Sequence, residues 1–264
     1  MRGSAWGAPL VCATLLLWAP GVARAGSEIS TDRPDVSDNT KTVPRGTLQV
    51  ESGLAYATSR VGGSESERRL GVELTLRAGL TERFEVQLGG EPFVRFRGEA
   101  DDTGHGDLTL AAKYRFLDER EGAWWPSLGL RPFVKVPIAE APLGSERPDF
   151  GLLLLASFDL PWHLNLDVNA GLAAVGQRGP NGYLLQALTT ASLSHEVTEA
   201  LSAFVEVTYA SRAAWDARDV VGLNTGLIYL LTQDVALDVA VGTSLAGPGP
   251  DYAVKAGVSV RFGR

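Results

Sequence analysis

The chain has 264 residues, with 24 Lys and Arg against 31 Asp and Glu, a net charge of -7 and 45% hydrophobic residues. That apolar content excludes an intrinsically disordered chain, and an acidic pI near 5.1 without a basic run excludes a nucleic-acid binder, which needs a concentrated Lys/Arg footprint. A mean hydropathy of +0.02 does not exclude a membrane, because strands that alternate apolar and polar residues cancel in any average.

Arg2 supplies a positive flank, Ala8 to Val22 an apolar run broken by Pro9 and Pro20, and Ala23-Arg24-Ala25 a small-residue cleavage site. Residues 1–25 therefore read as a secretory signal peptide, since the run is shorter than the ~20 residues a helix needs to span a bilayer. The mature chain is expected to start at Gly26. Cys12 leaves with the signal, which removes disulfides, thiolate metal sites and cysteine nucleophiles. Two arginines leave as well and no acid, giving a mature charge of -7 - 2 = -9.

Residues 26–46 are too polar for lipid and form a periplasmic N-terminal segment. Two readings stand: a plug in which Asp32, Arg33 and Asp35 pair with groups inside a barrel, or a free leader, as termini usually are. Pro34 and Pro44 restrict its path in either case.

From Leu48 onward the sequence has period two. Leu70, Val72, Leu74, Leu76, Ala78 and Leu80 fall on one parity and Gly71, Glu73, Thr75, Arg77 and Gly79 on the other, which puts successive side chains on opposite faces of a strand. A strand that crosses a membrane at a tilt needs ~9–11 residues, against ~5–6 for an average globular strand. Twelve such stretches follow in chain order: Leu48 to Tyr56, Leu70 to Leu80, Phe84 to Gly90, Leu108 to Phe116, Leu128 to Val136, Phe150 to Leu160, Leu164 to Leu172, Tyr183 to Leu193, Leu201 to Tyr209, Val221 to Leu231, Val235 to Thr243 and Tyr252 to Phe262. The expected fold is all-β, a transmembrane antiparallel up-and-down barrel spanning residues 47–264.

The connections sort by side. After even strands they are short (Thr81 to Arg83, Asp118 to Ala123, Pro161 to His163, Glu196 to Ala200, Thr232 to Asp234) and after odd strands long, from Thr58 to Arg69 through to Ser244 to Asp251. Short periplasmic turns and longer external loops are the outer-membrane pattern. Aromatic residues gather at strand ends, with Phe84, Phe116, Trp124, Trp125, Trp162 and Tyr229 on the periplasmic side and Tyr56, Phe96, Tyr183, Tyr209 and Tyr252 on the external side, as headgroup girdles do.

One parity carries almost no charge and faces lipid, where a basic residue at the midplane would cost roughly 2–4 kcal/mol. The other carries the lumen candidates Glu51, Glu73, Arg77, Glu85, Asp107, Lys113, Arg115, Arg131, Lys135, Asp167, Glu206, Asp238 and Arg261. Bases on the second, fourth and fifth strands and acids on the seventh, ninth and eleventh would set a transverse field across a constriction. The alternative is a packed, self-neutralising ion-pair core. Phe133, Leu153, Leu155, Phe204, Ile228 and Leu230 break the pattern by placing apolar groups inward. A register slip near Pro132 and Pro137 is the expected cause, with an apolar lumen patch as the alternative.

The run Ser30-Thr31-Asp32-Arg33-Pro34-Asp35-Val36-Ser37, then Val43-Pro44-Arg45-Gly46-Thr47-Leu48-Gln49-Val50-Glu51, resembles the opening of a family of bacterial outer-membrane transporters labelled for the meta-pathway of phenol degradation. Gly79-Leu80-Thr81-Glu82-Arg83-Phe84-Glu85, Gly106-Asp107-Leu108, Lys113-Tyr114-Arg115-Phe116 and Gly257-Val258-Ser259-Val260-Arg261-Phe262 are similar to it as well. The resemblance implies a barrel and a transport role without fixing the solute. It departs at the end, where Gly263 and Arg264 follow the terminal aromatic residue that assembly machinery reads.

The functional expectation is a passive outer-membrane channel or facilitator for small solutes, including hydrophobic or aromatic compounds, selected by a charged lumen. Outer-membrane lipids, the barrel-assembly machinery and a small solute are its expected partners, with no cofactor and no metal. Oligomeric state is left open. A structural barrel without transport is one rival. An outer-membrane lipid hydrolase is the other, but Ser194 and His195 are neighbours in a strand and point apart, which disfavours a triad. Asp101 and Asp102 beside Gly104-His105-Gly106-Asp107 read as a solvated turn.

Overall fold

Two solvents sort the side chains of each strand, and that sorting builds the wall. The computed structural model describes residues 28–61, 65–98, 101–119, 125–177 and 182–263. The signal peptide, the proposed cleavage site and Trp124 lie outside the described residues. The strands are β1 (Leu48–Val61), β2 (Glu65–Thr81), β3 (Phe84–Arg97), β4 (Asp102–Gly104), β5 (Leu108–Leu117), β6 (Ser127–Val136), β7 (Asp149–Leu160), β8 (Leu164–Gly176), β9 (Tyr183–Thr198), β10 (Leu201–Ala210), β11 (Val220–Thr232), β12 (Val235–Ala246) and β13 (Tyr252–Phe262).

All pairings are antiparallel and join chain neighbours, except that β3 also pairs with β5, the short β4 adding only to the outer half of β3, and that the first strand pairs with the last. The ring closes where β1 meets β13, from Leu48↔Phe262 to Thr58↔Tyr252. Closure leaves twelve long strands without an unpaired edge, which a sheet in hydrocarbon requires. Burial is inverted relative to a soluble protein: Arg77, Lys113, Glu85 and Glu206 are fully buried, whereas Leu185 on the outer wall is 64% exposed.

Several strands run past their expected ends. β1 and β2 pair continuously out to Val61↔Glu65, so the stretch from Thr58 to Arg69 is not a twelve-residue loop but the protruding part of a hairpin. Beyond the lipid both faces meet water, so the alternation fades while the backbone ladder continues.

Register shifts at β3. Val72 pairs with Phe93 and Leu74 with Gly90, so Glu91 and Pro92 together oppose Glu73 as a bulge. Proline has no N–H to give to the ladder, which makes it a natural site for the extra residue. The bulge reverses the parity of the outer half of β3. Phe96 therefore does not join the external girdle; it packs with Val94, Ala139 and Leu143. Elsewhere the girdles form, with Phe84 against Tyr114 (6.5 Å between ring centres) at the periplasmic end and Tyr56 against Tyr252 (6.1 Å) and Phe150 against Tyr183 (6.0 Å) at the outer end.

Candidate functional site

Inside the barrel, the walls of β1, β2, β3 and β5 carry the most buried charges. Arg77 on β2 donates from Nε to Glu85 (2.9 Å) and from Nη1 to Glu51 (2.8 Å), and its Nη1 lies 3.1 Å from Asp32. Lys113 on β5 donates to both oxygens of Asp32, at 2.8 and 2.7 Å. Gln49 and Gln87, two residues along from their partners on the same inward faces, donate to Glu51 (2.8 Å) and Glu85 (2.7 Å). Two cations thus sit among three carboxylates, each held by hydrogen bonds as buried charges must be.

Asp32 comes from the N-terminal segment, which lies in the lumen. It enters beside the β11–β12 turn, where the Ile29 N–H donates to the Gln233 carbonyl (2.9 Å), and it leaves at Gly46, whose N–H donates to the Gly79 carbonyl (2.8 Å). Between these points wall side chains do for its backbone what a neighbouring strand would otherwise do. Glu206 accepts from the N–H of Val36 (3.0 Å) and of Ser37 (2.6 Å) and from the Ser37 hydroxyl (2.7 Å), and Asn224 donates to the same carboxylate at 2.7 Å. Asn169 accepts from the Asp38 N–H (2.7 Å), Ser157 from the Thr40 N–H (3.0 Å) and Glu85 from the Val43 N–H (2.6 Å). Arg131 reaches Asp38 at 3.3 Å.

Arg33 is a second buried anchor. Its guanidinium ion-pairs with Glu73 on β2 and with Asp238 on β12, the latter at 3.3 Å. It has room because Gly53 and Gly257 stand beside it: a Cβ at those positions would lie 2.2 and 2.7 Å from guanidinium atoms. Acidic neighbours outweigh burial and raise its pKa, so the cation is firmly held.

The segment divides the lumen into two vestibules. The outer one, about 730 Å³, is lined by Val36, Phe133, Leu143, Leu153 and Leu188 together with paired charges such as Arg69 and Glu91. The periplasmic one, about 1220 Å³, takes in Phe204, Ile228 and Leu230 beside Asp159, Asp167 and Lys41. Asp35 faces both. Burial, and then the nearby Glu206 carboxylate, push the Asp35 carboxyl well above the usual range against a hydrogen bond from Ser192.

The apolar inward residues are not a register slip. β6 and β7 stay in step from Ser127↔Ser157 to Lys135↔Asp149, straight through Pro132. Phe133 fits because its cross-strand partner is Gly151, where a Cβ would stand 2.2 Å from the ring; Phe204 likewise lies over Gly226 (2.6 Å). An inward glycine opposite an inward aromatic is the sequence signal for this packing.

Five other sequence candidates find their side-chain partners outside the segment, although Arg261 also reaches the Glu28 carbonyl at 3.4 Å. Asp107 accepts from the Ala139 N–H (3.1 Å) and from the Ser145 N–H and hydroxyl (2.8 and 2.7 Å), anchoring the loop of residues 137–148 over the outer vestibule. Burial works to raise its pKa, but the hydrogen bonds from Ser145 and Ala139 outweigh it and hold the carboxyl below its usual value. Arg115 bonds Asp118 (2.9 Å) and the Glu82 carbonyl (2.9 Å) at the periplasmic rim, and Arg261 bonds Asp234 there (2.9 Å). Lys135 pairs with Asp149. Asp167 accepts from Ser157. The pairings are local, so bases and acids do not divide into opposed walls. Gln87 and Asn169 lie on the inward parity that the sequence assigns them, and Gln49, Asn224 and Ser157 join the site on the same parity, which the charge pattern alone does not mark. Ser194 lines the periplasmic vestibule while the adjacent His195 reaches the His163 carbonyl at 3.3 Å.

The family model described as "Putative MetA-pathway of phenol degradation" matches residues 31–262. The chain belongs to this family. The match begins inside the lumen segment, so this member carries segment and barrel within one family unit. Among solved structures, the COG4313 outer membrane channel from Pseudomonas putida F1 superposes with a TM-score of 0.70 at 17% identity, covering 89% of this chain and 100% of that one. The NanC porin gives 0.56 at 12% identity (81% and 100% covered), and the KdgM porin in complex with disordered oligogalacturonate 0.52 at 10% (82% and 99%). At these identities the likeness is one of fold. No curated protein matches the sequence. This family member thus has the closed β-barrel fold seen in outer-membrane channels and porins.

Proposed function

We propose that the protein passes small solutes passively and that residues 28–46 are its resting plug. The observation that carries this reading is the position of Asp35, the one described segment residue that borders both vestibules, at the boundary a solute must cross. The path runs along the side away from Arg77 and Lys113, where Phe133, Leu153, Phe204 and Ile228 offer an apolar surface to hydrophobic or aromatic solutes while the charged groups Arg131 and Lys135 select at the outer end. Insertion of the barrel falls to the assembly machinery.

Planar-bilayer recording tests the plug. A mature chain lacking residues 26–46 is expected to show a larger single-channel conductance and faster flux of small aromatic solutes than the full mature chain. Equal currents would remove the plug, and no flux from either protein would favour a structural barrel.

A further inference from the structure

The bulge at Glu91 and Pro92 turns two arginines outward. Past it, Phe93, Arg95 and Arg97 occupy the face that the lipid-facing residues hold, while Val94 is buried. Register then places Arg97 directly opposite Arg68 on β2, and Arg95 opposite the outward Leu70. Arg68 in turn stands beside Thr58, whose other cross-strand neighbour is Tyr252 of the outer aromatic pair. The three guanidinium groups therefore sit on the outside of the barrel at headgroup height, Arg95 one outward row and the Arg68–Arg97 pair two outward rows above the apolar row of Val72 and Phe93.

Like charges directly opposite on adjacent strands repel. Neighbouring acids relieve this only in part: Arg97 has Asp101 at 3.7 Å, while farther out Asp251 is taken by Arg60 at 3.6 Å. Among the described residues, Arg68 and Arg95 have no ion-pair partner. A cross-strand arginine pair with a third arginine beside it, above lipid-facing leucine and phenylalanine, matches an anion that carries phosphate groups on an acylated body. Guanidinium forks take phosphate bidentately, and the apolar row below takes the chains.

We infer that Arg68, Arg95 and Arg97 form an outward binding site for a phosphorylated lipid of the outer leaflet, lipopolysaccharide being the probe of that chemistry. The site is separate from the lumen and independent of which solute passes.

The test uses the mature protein in neutral detergent micelles, with added lipopolysaccharide and retention measured after washing. Replacing all three arginines (R68Q, R95Q and R97Q together) should weaken retention by about a hundredfold, at roughly a factor of five for each basic residue at a lipid surface. Retention equal to that of the unaltered protein would overturn the proposal. Inorganic phosphate at matched phosphate concentration should compete poorly; full competition would assign the arginines to free phosphate instead. Arg68→Gln alone guards against a folding artefact. Without lipopolysaccharide it should leave the thermal unfolding temperature unchanged or raise it, because it removes a repulsive pair. A lower unfolding temperature would mean that the protein itself satisfies Arg68, and would also overturn the site.

Discussion

Arg33 and Asp238 are 205 residues apart in the chain, yet the guanidinium of one meets the carboxylate of the other at 3.3 Å inside the barrel. The contact joins the chain's opening segment to its next-to-last strand, and Glu73 on β2 holds the same guanidinium from the other side. Lys255 remains within 3.4 Å of Glu73, so Asp238 is the carboxylate that depends on Arg33 for its charge balance.

Arg33→Ala should therefore loosen the segment while leaving the wall intact. Removing one member of a buried pair costs on the order of 3–5 kcal/mol. The expected outcome is easier proteolysis of the segment in the folded, membrane-inserted protein, together with a larger conductance. Protease resistance like that of the unaltered chain would count against Arg33 as the anchor.

Gly257→Val approaches the same contact from the wall. A Cβ at Gly257 would stand 2.7 Å from the Arg33 guanidinium and 2.7 Å from the Ser52 carbonyl oxygen of β1, so the flexible guanidinium yields and the wall shifts locally as well. Conductance should rise as it does for Arg33→Ala, and the double variant should add little more, because both act on one contact.

The assignment of faces predicts opposite results at adjacent positions. Leu74→Arg places a cation in lipid at a cost of roughly 2–4 kcal/mol and should reduce the folded fraction in refolding trials. Glu73→Gln should insert normally and change conductance. Equal insertion defects in both would refute the parity.

Asp35 makes the segment sensitive to pH. Its carboxyl pKa is raised when seated, by burial and by Glu206, so the seated form takes up a proton that the released form holds only at lower pH. Seating is weakest when Asp35 is ionised and strengthens as pH falls through the raised value; below the ordinary carboxylate range no further gain comes from this group. Open probability should accordingly fall on mild acidification. Asp35→Asn should be the more closed form at neutral pH and lose that part of the pH dependence, and an unchanged pH profile in this variant would exclude Asp35 as the sensor.

Phe133 and Gly151 test the apolar side. Gly151→Leu would drive a side chain into the Phe133 ring, so it should narrow the outer vestibule and slow hydrophobic solutes, whereas Phe133→Ala should widen it. Solute flux measured in liposomes distinguishes the two directions.

The sequence by itself determined the wall. Lipid acts on each residue singly, so Leu70 to Leu80 against Glu73 and Arg77 already separates outside from inside, and the short turns at Thr81 to Arg83 and Thr232 to Asp234 already mark one end. Only the tertiary structure decided what fills the barrel. Asp32 meets Lys113, Val36 and Ser37 meet Glu206, and Arg33 meets Asp238 through pair contacts between distant positions, which no local period encodes. The reversal of parity at Glu91 and Pro92 belongs to the same class, since one unpaired residue in β3 exists only relative to the register of β2, and it is this that turns Phe96 inward and Arg95 out.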